Sequence, residues 1–262
     1  MRVLLLATLL VSAASAQPSN WELPTYGTTV SIKADRPFFT EGNPYEGLTS
    51  AWTLSTTQPV GPLLRIVGDL PIAVGATSGE TSVALGNLQV GVEADLPTSP
   101  VTLGGYLRVP TSTESGDRTR AQLVGVFTDY EQIGAYVSDF VTLSGLAEGR
   151  VDLGAPGLSV RLRAIPQLLV ATDDTAGDET EAFIGYAAQL LFDNGAARLG
   201  GGLTGLTPLT EEGDETQLFV GVMADVAAGP VRPGLVVRAP ISGDLGEFLD
   251  AVVGVRVTVP FN

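Results

Sequence analysis

The chain has 262 residues, a formal net charge of −15 and 44% hydrophobic residues, with 32 glycines and 17 prolines but no cysteine or histidine. The acidic balance argues against a nucleic-acid partner, because phosphate binding needs a basic surface. Without cysteine and histidine there are no disulfides, no usual zinc ligands and no imidazole for a hydrolase triad. We therefore expect no enzyme, no metal site and no cofactor, and the apolar, turn-rich composition favours an all-β fold.

The N-terminus has the pattern of a secretory signal peptide. Arg2 precedes an apolar run over residues 4–11, and Ala14-Ser15-Ala16 fits an A-x-A cleavage site. The run is too short to cross a bilayer as a helix, which takes about 20 residues. We predict a signal peptide over residues 1–16, a short pre-barrel segment over residues 17–27 and one β-domain over residues 28–262. The pre-barrel segment either enters that domain or lies in the periplasm.

Alternation of apolar and polar residues over about ten positions is the main structural signal, because a tilted transmembrane strand has that length. Short connections such as Asp193-Asn194-Gly195 alternate with longer ones, as in outer-membrane barrels. The sequence predicts an antiparallel, up-and-down transmembrane β-barrel of about fourteen strands, or twelve if the weakly patterned region at residues 129–141 is an irregular loop. The predicted strands lie near residues 28–35, 48–57, 63–74, 87–96, 101–109, 119–128, 131–137, 141–153, 158–171, 182–193, 196–207, 217–226, 231–241 and 253–261.

Charged residues separate by position along this pattern. Most acids gather in or beside the long loops, whereas nearly all basic residues fall on the strand face opposite the apolar one. An Arg or Lys facing lipid near the midplane costs about 2 to 4 kcal/mol, so these side chains should face inward. We expect cross-strand ion-pair ladders, and an open basic lining that attracts anions is the alternative. The residues predicted to line the lumen are Lys33, Arg65, Asp69, Glu93, Asp95, Arg108, Arg120, Glu148, Arg150, Asp152, Arg161, Arg163, Arg198, Asp225, Arg232, Arg238 and Arg256.

The last predicted strand is the most regular. Its apolar face consists of Val253, Val255, Val257, Val259 and Phe261. An amphipathic terminal strand with a final aromatic residue is typical of the signal that barrel-assembly machinery reads, although Asn262 follows the aromatic here. A soluble β-sandwich would show the same alternation with its apolar face inward. The signal peptide, the alternating loop lengths and this strand favour the barrel.

Two neighbouring segments resemble a known family. The residues 85–92 (LGNLQVGV) and 103–111 (LGGYLRVPT) resemble the outer-membrane barrel family associated with phenol-degradation, or MetA-like, pathways. Members often have an acid at the position of Asn87 and a glycine at that of Ser112. The resemblance covers about 27 residues and implies a channel or transporter for small hydrophobic or aromatic compounds.

These observations predict a protein of the bacterial outer membrane that contacts lipid and the barrel-assembly machinery and conducts an unidentified small solute through an arginine-lined lumen. A structural or adhesive barrel with a closed lumen is the second hypothesis. A soluble secreted β-sandwich is the third.

Overall fold

The computed structural model describes residues 19–24, 27–42, 49–77, 80–111, 116–172, 180–210, 215–242 and 245–261. The predicted signal peptide lies outside the described residues. The strands are β1 (Thr28–Phe39), β2 (Ser50–Pro59), β3 (Leu64–Thr77), β4 (Glu80–Leu85), β5 (Leu88–Asp95), β6 (Val101–Val109), β7 (Phe140–Asp152), β8 (Leu158–Ala171), β9 (Thr180–Asp193), β10 (Ala197–Pro208), β11 (Gln217–Val226), β12 (Arg232–Ser242) and β13 (Leu249–Phe261). The helices are α1 (Gly116–Thr128), a 3-10 helix (Tyr130–Ala135) and α2 (Leu245–Phe248).

The strands form a closed antiparallel barrel. Apart from β4 and β5, which both pair with β3, each strand pairs with its neighbours in chain order. β1 pairs with both β2 and β13, so the sheet closes on itself. Twelve strands form the ring and β4 is an additional strand. The predicted count of about fourteen strands was therefore too high, and the alternative of twelve is confirmed. The β-sandwich hypothesis is wrong, because the strands form one closed sheet and not two packed sheets.

The side chains alternate between the two faces of the barrel wall. On β13, Val255 is 55% exposed whereas Thr258 is 1% exposed, and on β11 Val222 is 60% exposed. Outward side chains form an apolar surface, and inward ones are mostly polar or charged. None of the helices in the described ranges is both long and apolar enough to cross a membrane.

Tight turns join the strands at one end, which we call the short-turn end, and longer connections join them at the other, the long-loop end. Asn194 accepts hydrogen bonds through Oδ1 from the amides of Ala196 (3.1 Å) and Ala197 (2.7 Å), and Gly195 has a φ of +82°. Glycine is favoured there because a side chain opposes a positive φ. The sequence prediction of this hairpin turn is confirmed.

The strands predicted over residues 119–128 and 131–137 are wrong, because this region folds into α1 and the 3-10 helix. Ala121, Val124 and Thr128 are almost fully buried and follow the three-to-four-residue spacing of a helix face. Ala121 packs among small inward residues of the wall, and a Cβ on Gly75 of β3 would lie 3.0 Å from its Cα. The wall therefore carries small residues where the helix lies against it.

The wall is interrupted between β4 and β5. Residues 64–69 of β3 pair with β5, and residues 72–77 pair with β4. Two short strands therefore lie beside β3 where one long strand would be expected. Gly86 and Asn87 separate them, and Thr111 bridges the break by donating to the Gly86 carbonyl (2.7 Å) and accepting from the Leu88 amide (3.0 Å). No strand was predicted at β4, whose residues fall in the longer connection between the predicted strands at residues 63–74 and 87–96.

Candidate functional site

The residues predicted to line the lumen lie on the strands, with one exception. Lys33, Asp69, Glu93, Arg108, Arg161, Arg163, Arg198, Asp225 and Arg238 are buried inside the barrel. Arg65, Asp95, Glu148, Arg150, Asp152, Arg232 and Arg256 lie towards the short-turn end and are more exposed. Arg120 was wrongly assigned to a strand: it lies on α1, where it approaches Glu80 at 3.7 Å.

The long-loop end of the lumen is filled by residues 116–137, which we call the loop plug. Its central charge is Asp129, which accepts from Lys33 Nζ at 2.9 Å and from Arg238 Nη2 at 3.4 Å. Asp35 on β1 completes the cluster, 3.2 Å from Lys33 and 3.3 Å from Arg238. Burial opposes the charge of Asp129, but Lys33 and Arg238 outweigh it and hold its pKa below the ordinary value. Two cations and two anions therefore neutralise each other away from water.

The loop plug also reaches the opposite wall. Arg108 donates to Gln89 Oε1 (2.6 Å) and to Gln132 Oε1 of the plug (2.8 Å). Asn87, at the break in the wall, donates to the carbonyls of Gly134 (3.0 Å) and Val137 (2.6 Å). The break is thus bonded to the plug, and Asn87 is fully buried.

A second group, Glu131 of the 3-10 helix, is buried in the lumen. One carboxylate oxygen is bonded to Thr204, and the other has no partner among the residues that the structure describes. Burial raises the pKa of Glu131, although Arg238 and Thr204 act in the opposite direction. Asn20, near the N-terminal end of the described residues, also lies close enough to this carboxylate to act in the same direction as Thr204. The two ends of the lumen filling therefore meet at Glu131.

Residues 19–24, which we call the N-terminal segment, occupy the lumen towards the short-turn end. Arg161 donates to the main-chain carbonyls of Asn20 and Glu22, both at 2.8 Å, and Arg198 donates to that of Pro24. The pre-barrel segment over residues 17–27 was expected either to enter the β-domain or to lie in the periplasm. Its residues 19–24 lie inside the barrel.

Apolar side chains anchor the same segment. Trp21 is 4% exposed and packs with Leu23, Phe219 and Met223 in one buried cluster. A Cβ on Gly221 of β11 would lie 2.8 Å from the Trp21 ring, so the glycine leaves room for the indole. The lumen is consequently filled by side chains and by two inserted segments.

Ion pairs cross neighbouring strands nearer the short-turn end. Arg65 pairs with Glu93 at 2.5 Å and Asp95 at 2.9 Å. Arg163 pairs with Glu148 at 3.0 Å, and Arg198 with Asp225. Between these walls and the N-terminal segment lies a cavity of about 320 Å³, which we call the vestibule. It is lined by hydroxyls of β1 and β2 on one side and by charged side chains of β3 to β8 on the other.

Sequence reasoning missed the site residues supplied by the plug and by uncharged strand positions. Asp129 and Glu131 were not identified because they enter the lumen on the plug, which was predicted as two strands and their connection. Asp35 was also missed, although it lies two residues from Lys33 on β1. Gln89 and Gln189 lie on the inward faces of strands, where alternation alone would have placed them. No group of three or more potential metal-ligating side chains occurs within the described part of the chain.

Comparison with solved structures identifies the fold. The chain is similar to the COG4313 outer membrane channel from Pseudomonas putida F1, with a TM-score of 0.61 at 14% identity over 94% of this chain and 100% of that chain. It is also similar to LpxR from Salmonella typhimurium, with a TM-score of 0.57 at 9% identity over 89% of this chain and 100% of that chain. The KdgM porin gives a TM-score of 0.53 at 10% identity, over 89% and 99% of the two chains.

At these identities the comparisons establish an outer-membrane type of barrel, a fold on which different functions occur. No protein-family model and no curated protein matches the chain. The resemblance to the phenol-degradation family therefore stays a prediction, as does recognition of β13 by assembly machinery. On that strand Val255, Val257 and Phe261 are exposed on the outer face.

Proposed function

We propose that this protein is a bacterial outer-membrane channel for small solutes, and that the structure is its closed state. The observation that carries the proposal is the way the lumen is filled. The strands close into a ring with an apolar outer surface, whereas the filling consists of two inserted segments outside the strand ladder. Side-chain hydrogen bonds hold them, together with one main-chain bond from the Asn87 amide to the Ala135 carbonyl. Such segments can leave without breaking the barrel, since no interstrand pairing depends on them.

The orientation follows from the loops. In outer-membrane barrels short turns face the periplasm and longer loops face outside. The N-terminal segment then enters from the periplasmic side and the loop plug from the external side.

A feature of the outer wall supports apolar solutes in particular. A depression of about 480 Å³ lies across β6 to β9, lined by outward residues such as Leu143, Gly145 and Leu168 and reaching the inward side chains of Tyr106 and Phe183. Pro166 lies in β8 at this level, and proline removes a donor from the ladder. The depression offers a small apolar molecule a place in the wall next to the lumen.

Bilayer recordings test the channel proposal. The wild-type protein should insert into planar bilayers and show low conductance, while Asp129→Ala, which weakens the loop plug, should raise the conductance severalfold. Asp152→Asn is the matched control, because it removes a carboxylate at the exposed short-turn end, away from the plug, and should behave as wild type. If wild type and Asp129→Ala both insert and neither passes ions or solutes in liposome swelling, the protein is a closed structural barrel instead.

Crystals soaked in toluene test the preference for apolar solutes. Density for the aromatic ring is expected in the wall depression of the wild-type protein and not in Gly145→Leu, whose side chain would fill it. Toluene bound equally in both proteins, or in neither, would contradict the assignment of this depression.

A further inference from the structure

The strand register at the vestibule brings two like charges together. Arg150 on β7 lies directly opposite Arg161 on β8, and both side chains line the vestibule. Like charges directly opposite each other destabilise a sheet. Glu148 and Asp152 flank Arg150 on β7, and the Glu148 carboxylate is engaged by Arg163 at 3.0 Å and by Arg150 at 3.7 Å. Two of the three arginines at this position thus contact the same carboxylate.

Arg161 has an incomplete set of partners for a buried cation. It is 1% exposed, and its guanidinium donates to the carbonyls of Asn20 and Glu22 and, from Nε at 2.9 Å, to Gln189 Oε1. All three acceptors are neutral. Among the described residues it forms no ion pair, because the Glu22 carboxylate lies 3.3 Å from Arg256 instead. The guanidinium of Arg161 therefore has hydrogen-bond acceptors, but no anion among the described residues pairs with its charge.

The chemistry of the missing partner follows from the guanidinium. Its planar fork matches the two oxygens of a carboxylate, and hydrogen bonds to an ionised acceptor are roughly twice as strong as those to a neutral one. The carbonyls of Asn20 and Glu22 occupy the positions that such oxygens would take. Of the other acids of the vestibule wall, Glu93 and Asp95 are held by Arg65, and Asp152 is exposed at the short-turn end.

We propose that Arg161 and Arg150 form a binding site for a small organic carboxylate, and that the N-terminal segment fills this site until a carboxylate displaces it. The vestibule, at about 320 Å³, has room for such an ion beside both arginines. The proposal rests on the proposed channel function and adds a ligand class and a release step to it. Displacement of Asn20 and Glu22 withdraws Trp21 from its apolar cluster.

Tryptophan fluorescence tests the displacement, because the chain has two tryptophans and only Trp21 lies in the lumen. Trp52, 43% exposed on the outer face, is replaced by phenylalanine to give the parent protein for all measurements. The full chain in detergent is titrated with sodium acetate, with acetamide as the neutral molecule of similar shape and sodium chloride at equal ionic strength. Acetate should shift the Trp21 emission to longer wavelength, and acetamide and chloride should not.

Arginine variants locate the site. Arg150→Gln should leave the starting spectrum unchanged and raise the acetate midpoint about tenfold, since a hydrogen bond to a charged group is lost. Arg161→Gln should shift the starting spectrum and abolish the acetate response. Arg120→Gln, which removes a charge at the long-loop end, should match the parent in both respects. Heat-modifiable gel mobility checks that each variant is folded.

An acetate response no larger than that to acetamide or chloride would overturn the proposal. So would an acetate midpoint that is the same in Arg150→Gln and the parent. Bilayer conductance of the same preparations separates this result from the channel proposal, because a protein that conducts without responding to acetate refutes only the carboxylate site.

Discussion

The two segments that fill the lumen are held by different chemistry. The loop plug is docked through carboxylates, with Asp129 between Lys33 and Arg238 and Glu131 buried beside them. The N-terminal segment is docked through neutral main-chain carbonyls and one large apolar side chain, Trp21. A buried carboxylate makes docking sensitive to charge and pH, whereas a carbonyl that faces an arginine can be replaced by an anion. The two ends of one lumen should therefore open in response to different conditions.

The largest expected effect is at the loop plug. Asp129→Ala leaves Lys33 and Arg238 with Asp35 as their remaining carboxylate in the cluster, and breaking a buried ion pair in this way costs about 3 to 5 kcal/mol. Hydrogen exchange of amides in residues 120–137 should accelerate, while exchange in the N-terminal segment changes far less. Equal acceleration in both segments would show that they undock as one unit, which would contradict separate opening of the two ends of the lumen.

At the N-terminal segment, Trp21→Ala should weaken docking by about 3 kcal/mol, the lower end of the range for a buried tryptophan. We place it there because the indole N–H has no hydrogen-bond partner in the described part of the chain, so its removal breaks no hydrogen bond there. Protease cleavage within residues 19–24 of the folded barrel should become much faster. Unchanged protection would mean that the arginine contacts suffice to hold the segment.

The break in the wall provides an intermediate effect. Asn87→Ala removes both amide bonds to the carbonyls of Gly134 and Val137, and unsatisfied buried groups cost about 1 to 3 kcal/mol. Amides near residue 137 should exchange faster without loss of the barrel itself, as judged by heat-modifiable mobility. Asn87→Asp, which keeps the shape but loses the donor, should behave like alanine and not like wild type.

The smallest effect is the pH dependence of the loop plug. Because burial raises the pKa of Glu131, the docked plug binds more protons than the free one, so docking strengthens as the pH falls and weakens as it rises above the ordinary carboxyl range near 4.3. Conductance should therefore be higher at pH 8 than at pH 5. Glu131→Gln, which imitates the protonated side chain, should be closed at both values, and a pH response that persists in this variant would assign the titration to another group.

Much of the wall was readable from the sequence, because a β-strand that separates an apolar from an aqueous environment must alternate, and Val253 to Phe261 shows that alternation without interruption. The turn at Asn194-Gly195 was readable because few residues accept its backbone angles. Residues 119–128 and 131–137 were misread as strands because short apolar runs fit both periods. The surface against which the segment packs decides between the two.

The sequence by itself determined that the chain forms an all-β barrel with an apolar outer face and charges inside, because these features follow from a two-residue period repeated along each strand. Tertiary structure alone decided that the lumen is filled. The contacts that fill it, such as those of Asp129 with Arg238 and of Asn20 with Arg161, join residues more than a hundred positions apart. Local periodicity carries no information about such pairs, which form only after the ring has closed around the inserted segments.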